Sequence, residues 1–375
     1  MFFCKNIDKL QENVTMTMLF INYKGTTIMI NKKVYIGMRT YNSSETVSDS
    51  LKSVYDQTYP NIKIVVYDDK STDNTIEILK SWQKKFADKG IVMDIVPSEQ
   101  KTNEGCGKAG ERLNKIIASQ IGDNDIYMGL DSDDVFLSTD TVKNCVRQMS
   151  LARANILIAG YTIQGDESLV INDKGGAPHN NLSHKLAEQK AVTINEMPEI
   201  ASTADSIGWT RVLQGNIFKR YVNMYPECPK EMNVCEDFPT LAMFLFKDAK
   251  ITGLKDNAYG YYKHIQSSTA QIVQKEAFSV VRLGFLNVLQ NMHKTHPEEF
   301  IAGADKYINS FIEKKYAVIG NIVDKKSKEG YLLGYNRQDF ERDFKEKIDC
   351  SALNLSRYLE PAVTPSQQKN KDYSN

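Results

Sequence analysis

The sequence predicts an α/β protein, with a mostly parallel sheet covered by helices on both faces. Two observations carry this. Between Val34 and Ala159, short strand-like apolar runs alternate with segments whose apolar residues recur at helical spacing. Three of those runs end in polar clusters, at Arg39 to Asn42, Asp68 to Asp73 and Asp131 to Asp134. The carboxyl ends of strands are where ligands bind in such sheets.

In chain order, Thr15 to Ile21 and Thr26 to Ile30 flank a polar Asn22-Tyr23-Lys24-Gly25 turn, which predicts a β-hairpin ahead of the main domain. The strand Val34 to Met38 leads to a helix on which Val47, Leu51, Val54 and Tyr55 share a face. A second strand, Ile62 to Tyr67, precedes a helix carrying Ile76, Leu79 and Trp82, with Ser71 or Asp73 able to cap it and Gly90 closing it. Next come a strand over Ile91 to Val96, a glycine-rich turn and helix over Gly105 to Gln120, a strand over Asp125 to Leu130, a helix from about Thr139 to Ala152 and a strand over Asn155 to Ala159. Residues 160–208, with Gly175-Gly176, Pro178 and Asn180-Asn181, read as long loops. After Cys235-Glu236-Asp237-Phe238-Pro239, the residues Leu241, Phe244 and Leu245 mark a helix. Helical patterns follow over Phe278 to Met292, Glu298 to Val323 and Gln338 to Ile348, and their apolar faces pack either on the main domain or on a second subunit of a homo-oligomer. The expected division is a hairpin over 1–33, a main domain over 34–270, a helical region over 271–360 and a polar, disordered tail over 361–375.

With 47 basic and 47 acidic residues the net charge is zero, which argues against nucleic acid or an anionic membrane as the main partner. The six cysteines are scattered without a Cys-x-x-Cys pair, so neither a zinc site nor a disulfide framework is signalled. No apolar run reaches the length of a membrane span, and Lys5, Asp8 and Glu12 stand where a signal peptide would have its apolar centre. These features lead to the expectation of a cytoplasmic protein.

The chemistry centres on Ile126 to Asp134, where an apolar strand ends in three carboxylates within four residues, Asp131, Asp133 and Asp134. Like charges that close call for a cation among them. Asp and Ser oxygens suit Mg²⁺ or Mn²⁺, ions that complete their shell with substrate phosphates, and so imply a nucleotide-linked substrate. The plainer reading is a polar turn in which Asp131 or Ser132 caps the next helix.

Four phrases bear a resemblance to a known family: Arg39-Thr40-Tyr41-Asn42, the run from Leu51 to Asn61, the run from Val65 to Thr75, and Leu130-Asp131-Ser132-Asp133-Asp134. In this order they resemble a family 2 glycosyltransferase of GT-A fold. The likeness resumes at Glu236-Asp237 and at Tyr261-Tyr262-Lys263-His264. It implies a nucleotide-diphospho-sugar donor, in the first place a UDP-sugar, a glycan or other hydroxyl acceptor, and Mn²⁺ or Mg²⁺. By the same resemblance, Asp131 contacts ribose or metal and Asp133 is the direct metal ligand, with Asp134 a supporting or capping residue. Asp69 accepts from uracil N3–H and Tyr41 stacks on the base, within a donor site that also takes in Arg39. Arg112 corresponds to an arginine near base and phosphate, although Leu113 here separates it from Asn114. Asp237 is the general base, Glu236 its partner and His264 a third metal ligand, while Trp209 is placed to stack on an acceptor sugar. Each has a plainer alternative: a helix cap for Asp69 and Asp237, a packed aromatic for Tyr41 and Trp209, a surface charge for Arg112, and a structural role for His264. Two other functions compete. A nucleotidyltransferase would need a glycine-rich phosphate loop after the first strand, which Arg39 to Ser44 lacks, and a non-catalytic glycan or nucleotide binder would have no use for Asp237.

Overall fold

The computed structural model describes residues 19–23, 26–30, 32–165, 176–200, 210–225, 238–263, 278–328 and 336–355. Strands β1 (Leu19–Tyr23) and β2 (Thr26–Ile30) pair antiparallel as the expected hairpin. The main sheet is built from β3 (Val34–Thr40), β4 (Ile62–Asp68), β5 (Val92–Pro97), β6 (Ile126–Gly129), β7 (Val135–Phe136), β8 (Ile156–Gly165), β9 (Arg211–Gln214) and β10 (Ile251–Lys263), in the order β5-β4-β3-β6-β9-β8-β10-β7.

From β5 to β6 every pairing is parallel. Beyond β6 the sheet departs from the mostly parallel expectation: β9 runs antiparallel to both β6 and β8, and β7 antiparallel to β10, while β8 and β10 are parallel. The physical reason is that β9 is a four-residue strand arriving from a distant stretch of chain, and such pairing leaves no period in the local sequence.

Alternation along β3 and β4 sends side chains to opposite faces. Val34, Ile36, Met38, Ile62, Ile64 and Val66 join one core, under helices α1 (Val47–Tyr55), α2 (Thr75–Asp88) and α4 (Thr141–Ala152). Tyr35, Val65 and Tyr67 join the other, with α3 (Cys106–Ala118), α5 (Gly176–Ala187) and α6 (Gly215–Met224). Gly37 lets α3 approach closely, since a Cβ there would lie 2.8 Å from the Ile117 Cδ1 atom.

The stretch read as loops contains regular structure. β8 continues to Gly165, and α5 covers the β8–β10 side of the sheet. Its turn-like composition is overridden by tertiary bonds: the Asn180 amide bridges the Tyr161 N–H and C=O, and buried Ser183 bonds to Ile158 and Leu254. The helix expected after Pro239 is a 3₁₀ helix over Phe238–Leu245. Helices α7 (Phe278–Thr295), α8 (Ala304–Lys328) and α9 (Arg337–Lys347) pack on the main domain. Leu286, Leu289, Ile312, Phe340 and Phe344 share one continuous core with residues 241–246. Among the described residues no helix is long and apolar enough to cross a membrane. The expected tail lies outside the described residues.

Candidate active site at the strand ends

The carboxyl ends of β3, β4 and β6 lie side by side, so the three polar clusters converge. The loop after β3 is stitched to the loop after β4: Asn42 N–H donates to Ser71 Oγ, Thr72 N–H to Asn42 Oδ1, and Ser43 N–H to Thr75 Oγ1. Asn42 and Lys70 both take the left-handed conformation these tight turns require, with φ of 48° and 69°. Tyr41 projects from this loop with 47% of its surface exposed. Asp73 accepts from Thr75 and Ser44. Against the upward push of desolvation, those bonds hold its carboxyl down at about 2.

Asp68 and Asp69 are both buried and both saturated. Asp68 accepts from the Thr40 hydroxyl and from the backbone and hydroxyl of Ser71. Asp69 Oδ2 accepts from Asn103 Nδ2 at 2.6 Å, Gly105 N–H at 2.8 Å and Glu104 N–H at 3.0 Å. Its carboxyl is raised, first by desolvation, with the Glu104 and Gly105 bonds acting in the opposite direction. Asp69 therefore anchors the loop that begins α3. Arg112 makes a bidentate ion pair with Glu104 of that loop, at 2.6 and 3.0 Å, and so braces the loop from the helix side.

The Asp131 to Asp134 turn is held at three points. Arg39 Nη2 donates to Asp131 Oδ1 at 2.9 Å, while Arg39 Nη1 donates to the Cys106 carbonyl at 3.1 Å, linking the turn to the start of α3. Ser132 Oγ lies 2.9 Å from Ser43 Oγ. Asp134 Oδ1 accepts from Tyr262 N–H at 2.9 Å. Asp131 and Asp133 stay partly exposed, whereas Asp134 is fully buried and has a carboxyl well above the usual range because of desolvation first and the charges of Asp133 and Asp131 second.

Below this turn a cleft runs between α3 and α6. Arg39, Asn114, Tyr127, Asp131, Tyr221 and Thr240 of the 3₁₀ helix are among the residues that line it. Tyr127 stacks on Phe218 of α6 with ring centroids 4.0 Å apart. The sequence reading missed this cleft. The spacing of Phe218, Tyr221, Val222 and Tyr225 on α6 was its available signal, and it also fits a simple core face. Also missed were Asn103 and Glu104 under Asp69, and the bond from the deeply buried Arg211 guanidinium to Thr240 Oγ1.

The donor set of the turn, two partly exposed carboxylates and a hydroxyl, fits a hard divalent ion that takes its remaining ligands from phosphate and water. Among the described residues no group of three His, Cys, Asp or Glu side chains is gathered tightly enough to hold a metal alone. Trp209, Glu236, Asp237 and His264 lie outside the described residues.

Residues 35–202 match the family model described as Glycosyl transferase family 2. The chain is 22% identical over 269 residues to the poly(ribitol-phosphate) beta-N-acetylglucosaminyltransferase TarS of Staphylococcus aureus, covering 70% of this chain and 42% of that one. It is 31% identical over 136 residues to the dTDP-rhamnosyl transferase RfbG of Shigella flexneri, covering 36% of this chain and 45% of that one. It thus spans less than half the length of either relative. The crystal structure of S. aureus TarS 1–349 in complex with UDP-GlcNAc aligns over 84% of this chain and 91% of that chain, with a TM-score of 0.52 and 17% identity. Over residues 35–202 the chain is thus similar to glycosyltransferase family 2, and its sheet has the GT-A fold of the TarS structure.

Proposed function

We propose that the protein is an inverting, metal-dependent glycosyltransferase that moves a sugar from a UDP-sugar to an acceptor hydroxyl. The observation that carries this reading is the acidic turn whose Asp131 lines a cleft that is also lined by Thr240, three positions after Asp237. TarS binds UDP-GlcNAc and RfbG is named for a dTDP-sugar, so a pyrimidine nucleotide fits both relatives.

On this reading the base rests against the exposed Tyr41 ring, at the loop that Asp69 and Arg112 brace. Asp133 and Asp131 would hold Mn²⁺ or Mg²⁺, with His264 a further ligand, and the bound ion would stabilise the charge of the departing diphosphate. Arg39 fixes Asp131 in orientation. Asp237 takes the acceptor hydroxyl's proton as that oxygen bonds to the anomeric carbon, and the bond from this carbon to the diphosphate breaks on the opposite face. Glu236 orients Asp237, and Trp209 stacks on the acceptor.

The test is hydrolysis and transfer over UDP-, GDP- and TDP-sugars with and without Mn²⁺, in the wild type and in Asp237→Asn. UDP-sugar turnover is expected to need Mn²⁺, and transfer should fall about 10²–10⁴-fold in the variant with its melting temperature unchanged. An Asn variant with full activity would remove Asp237 as the base, and turnover unaffected by chelation would remove the metal.

A further inference from the structure

The DxD turn leaves the sheet in an unusual way. β7 and β10 form an antiparallel ladder in which Phe136 faces Tyr259 and Val135 faces Gly260. One step further the main chain of Asp134 turns inward, and its N–H closes on the Asp131 carbonyl at 3.1 Å. The next rung is made by a side chain: Asp134 Oδ1 accepts the Tyr262 N–H at 2.9 Å. Because a carboxylate replaces a backbone carbonyl there, the main chain of 131–133 is released from the ladder and can curl toward the cleft.

Asp134 is 0% exposed, and its Oδ2 has no hydrogen-bond partner among the described residues. Burying an acid with one oxygen unsatisfied is unfavourable, and such groups are kept where a local geometry depends on them. Arg39 on Asp131 and Ser43 on Ser132 support the turn from the β3 side of the sheet. β10 lies beyond β6, β9 and β8, so the Asp134 bond carries the β7–β10 ladder one rung further, into the turn itself.

We infer that Asp134 is a positioning residue, which holds the Asp131 and Asp133 carboxylates at the cleft by tying their turn to β10 at Tyr262. The inference rests on the donor-site reading above. Its test compares Asp134→Leu, of similar size but without an acceptor, with Asp134→Asn, which keeps the acceptor oxygen and loses the charge. Two measurements are made on the full chain: amide hydrogen exchange over 131–136 and 258–263, and UDP affinity by calorimetry with and without Mn²⁺. The Leu variant should exchange faster at Tyr262 and through the turn, and should bind UDP with Mn²⁺ at least about tenfold more weakly, as loss of a supporting partner behind a metal ligand does. The Asn variant should match wild type in both.

Faster exchange with unchanged UDP affinity in the Leu variant would overturn the inference and make the bond merely structural. So would an Asn variant as weak as Leu, since the charge would then be acting directly. If the Leu variant does not fold, Tyr262→Pro removes the same bond from the donor side and is held to the same outcomes, with exchange read at the remaining amides of 131–136 and 258–263. A wild type that binds UDP equally with and without Mn²⁺ would sink the metal reading alone. One that binds no UDP would sink the donor reading and with it any role for Asp134 in placing the donor.

Discussion

The two acidic strand ends, after β4 and after β6, look alike in sequence and differ in what surrounds them. Asp68 and Asp69 are buried, and their oxygens are taken up by hydroxyls, amides and backbone N–H groups of neighbouring loops. Asp131 and Asp133 are partly exposed, and Asp131 lines the cleft. The first pair is taken up in holding loops together, whereas the second pair keeps part of its surface open to solvent. Acidic residues at a strand end are therefore not interchangeable evidence of chemistry; burial separates the two pairs.

The largest test of this contrast is Asp133→Ala, which should abolish divalent-dependent donor turnover with little change in melting temperature. Equal Mn²⁺-dependent rates in mutant and wild type would place Asp133 with the scaffold acids. Asp69→Ala should show the reverse balance. Leaving the Glu104, Gly105 and Asn103 donors unpaired should cost about 1–3 kcal/mol in a denaturant melt, and UDP affinity should fall through disorder of the 103–105 loop. Loss of UDP binding at unchanged stability would instead make Asp69 a direct contact to the base.

The smallest effect concerns Asp73 and acid. Its carboxyl is held at about 2 in the fold, against about 3.9 in an unfolded chain. A depressed carboxyl contributes stability that is fully present above the unfolded value and is lost as pH falls through the folded one. The melting temperature of wild type should therefore exceed that of Asp73→Asn at neutral pH, and the gap should close as pH falls from about 4 to about 2. A gap that stays constant over that range would show that Asp73 acts by shape and not by charge.

The β3–β6 half of the fold was legible because its signals are local. Val34, Ile36 and Met38 alternate with the opposite face, α1 and α2 show helical spacing, and each polar cluster directly follows its strand. The β8–β10 half was not, since its order is imposed by partners far along the chain. β9 sits between β6 and β8, and α5 forms from turn-like residues because Asn180 and Ser183 find strands 19 and 25 positions away. Asp131 and Asp133 could be singled out from sequence because three carboxylates crowd there. That Asp69 and Arg112 each meet a 103–105 loop partner could not, since nothing in Asn103-Glu104-Gly105 marks where its donors point.

The 3₁₀ helix over Phe238–Leu245 is a thin partition with the cleft on one side and the C-terminal helices on the other. The segment is fastened from behind: Ile301 N–H bonds to the Leu245 carbonyl, Phe246 meets Phe300 edge-on at 5.5 Å, and Arg220 pairs with both Asp248 and Glu299. The cleft wall is thus only one turn thick, and its stiffness is borrowed from residues 286–301. Substitutions in that distant layer can alter how tightly this wall is held without touching any residue that lines the cleft. Cutting the chain near residue 270 would bare the partition's apolar back to water, so the helical region is a foundation of the active site as much as an extension of it.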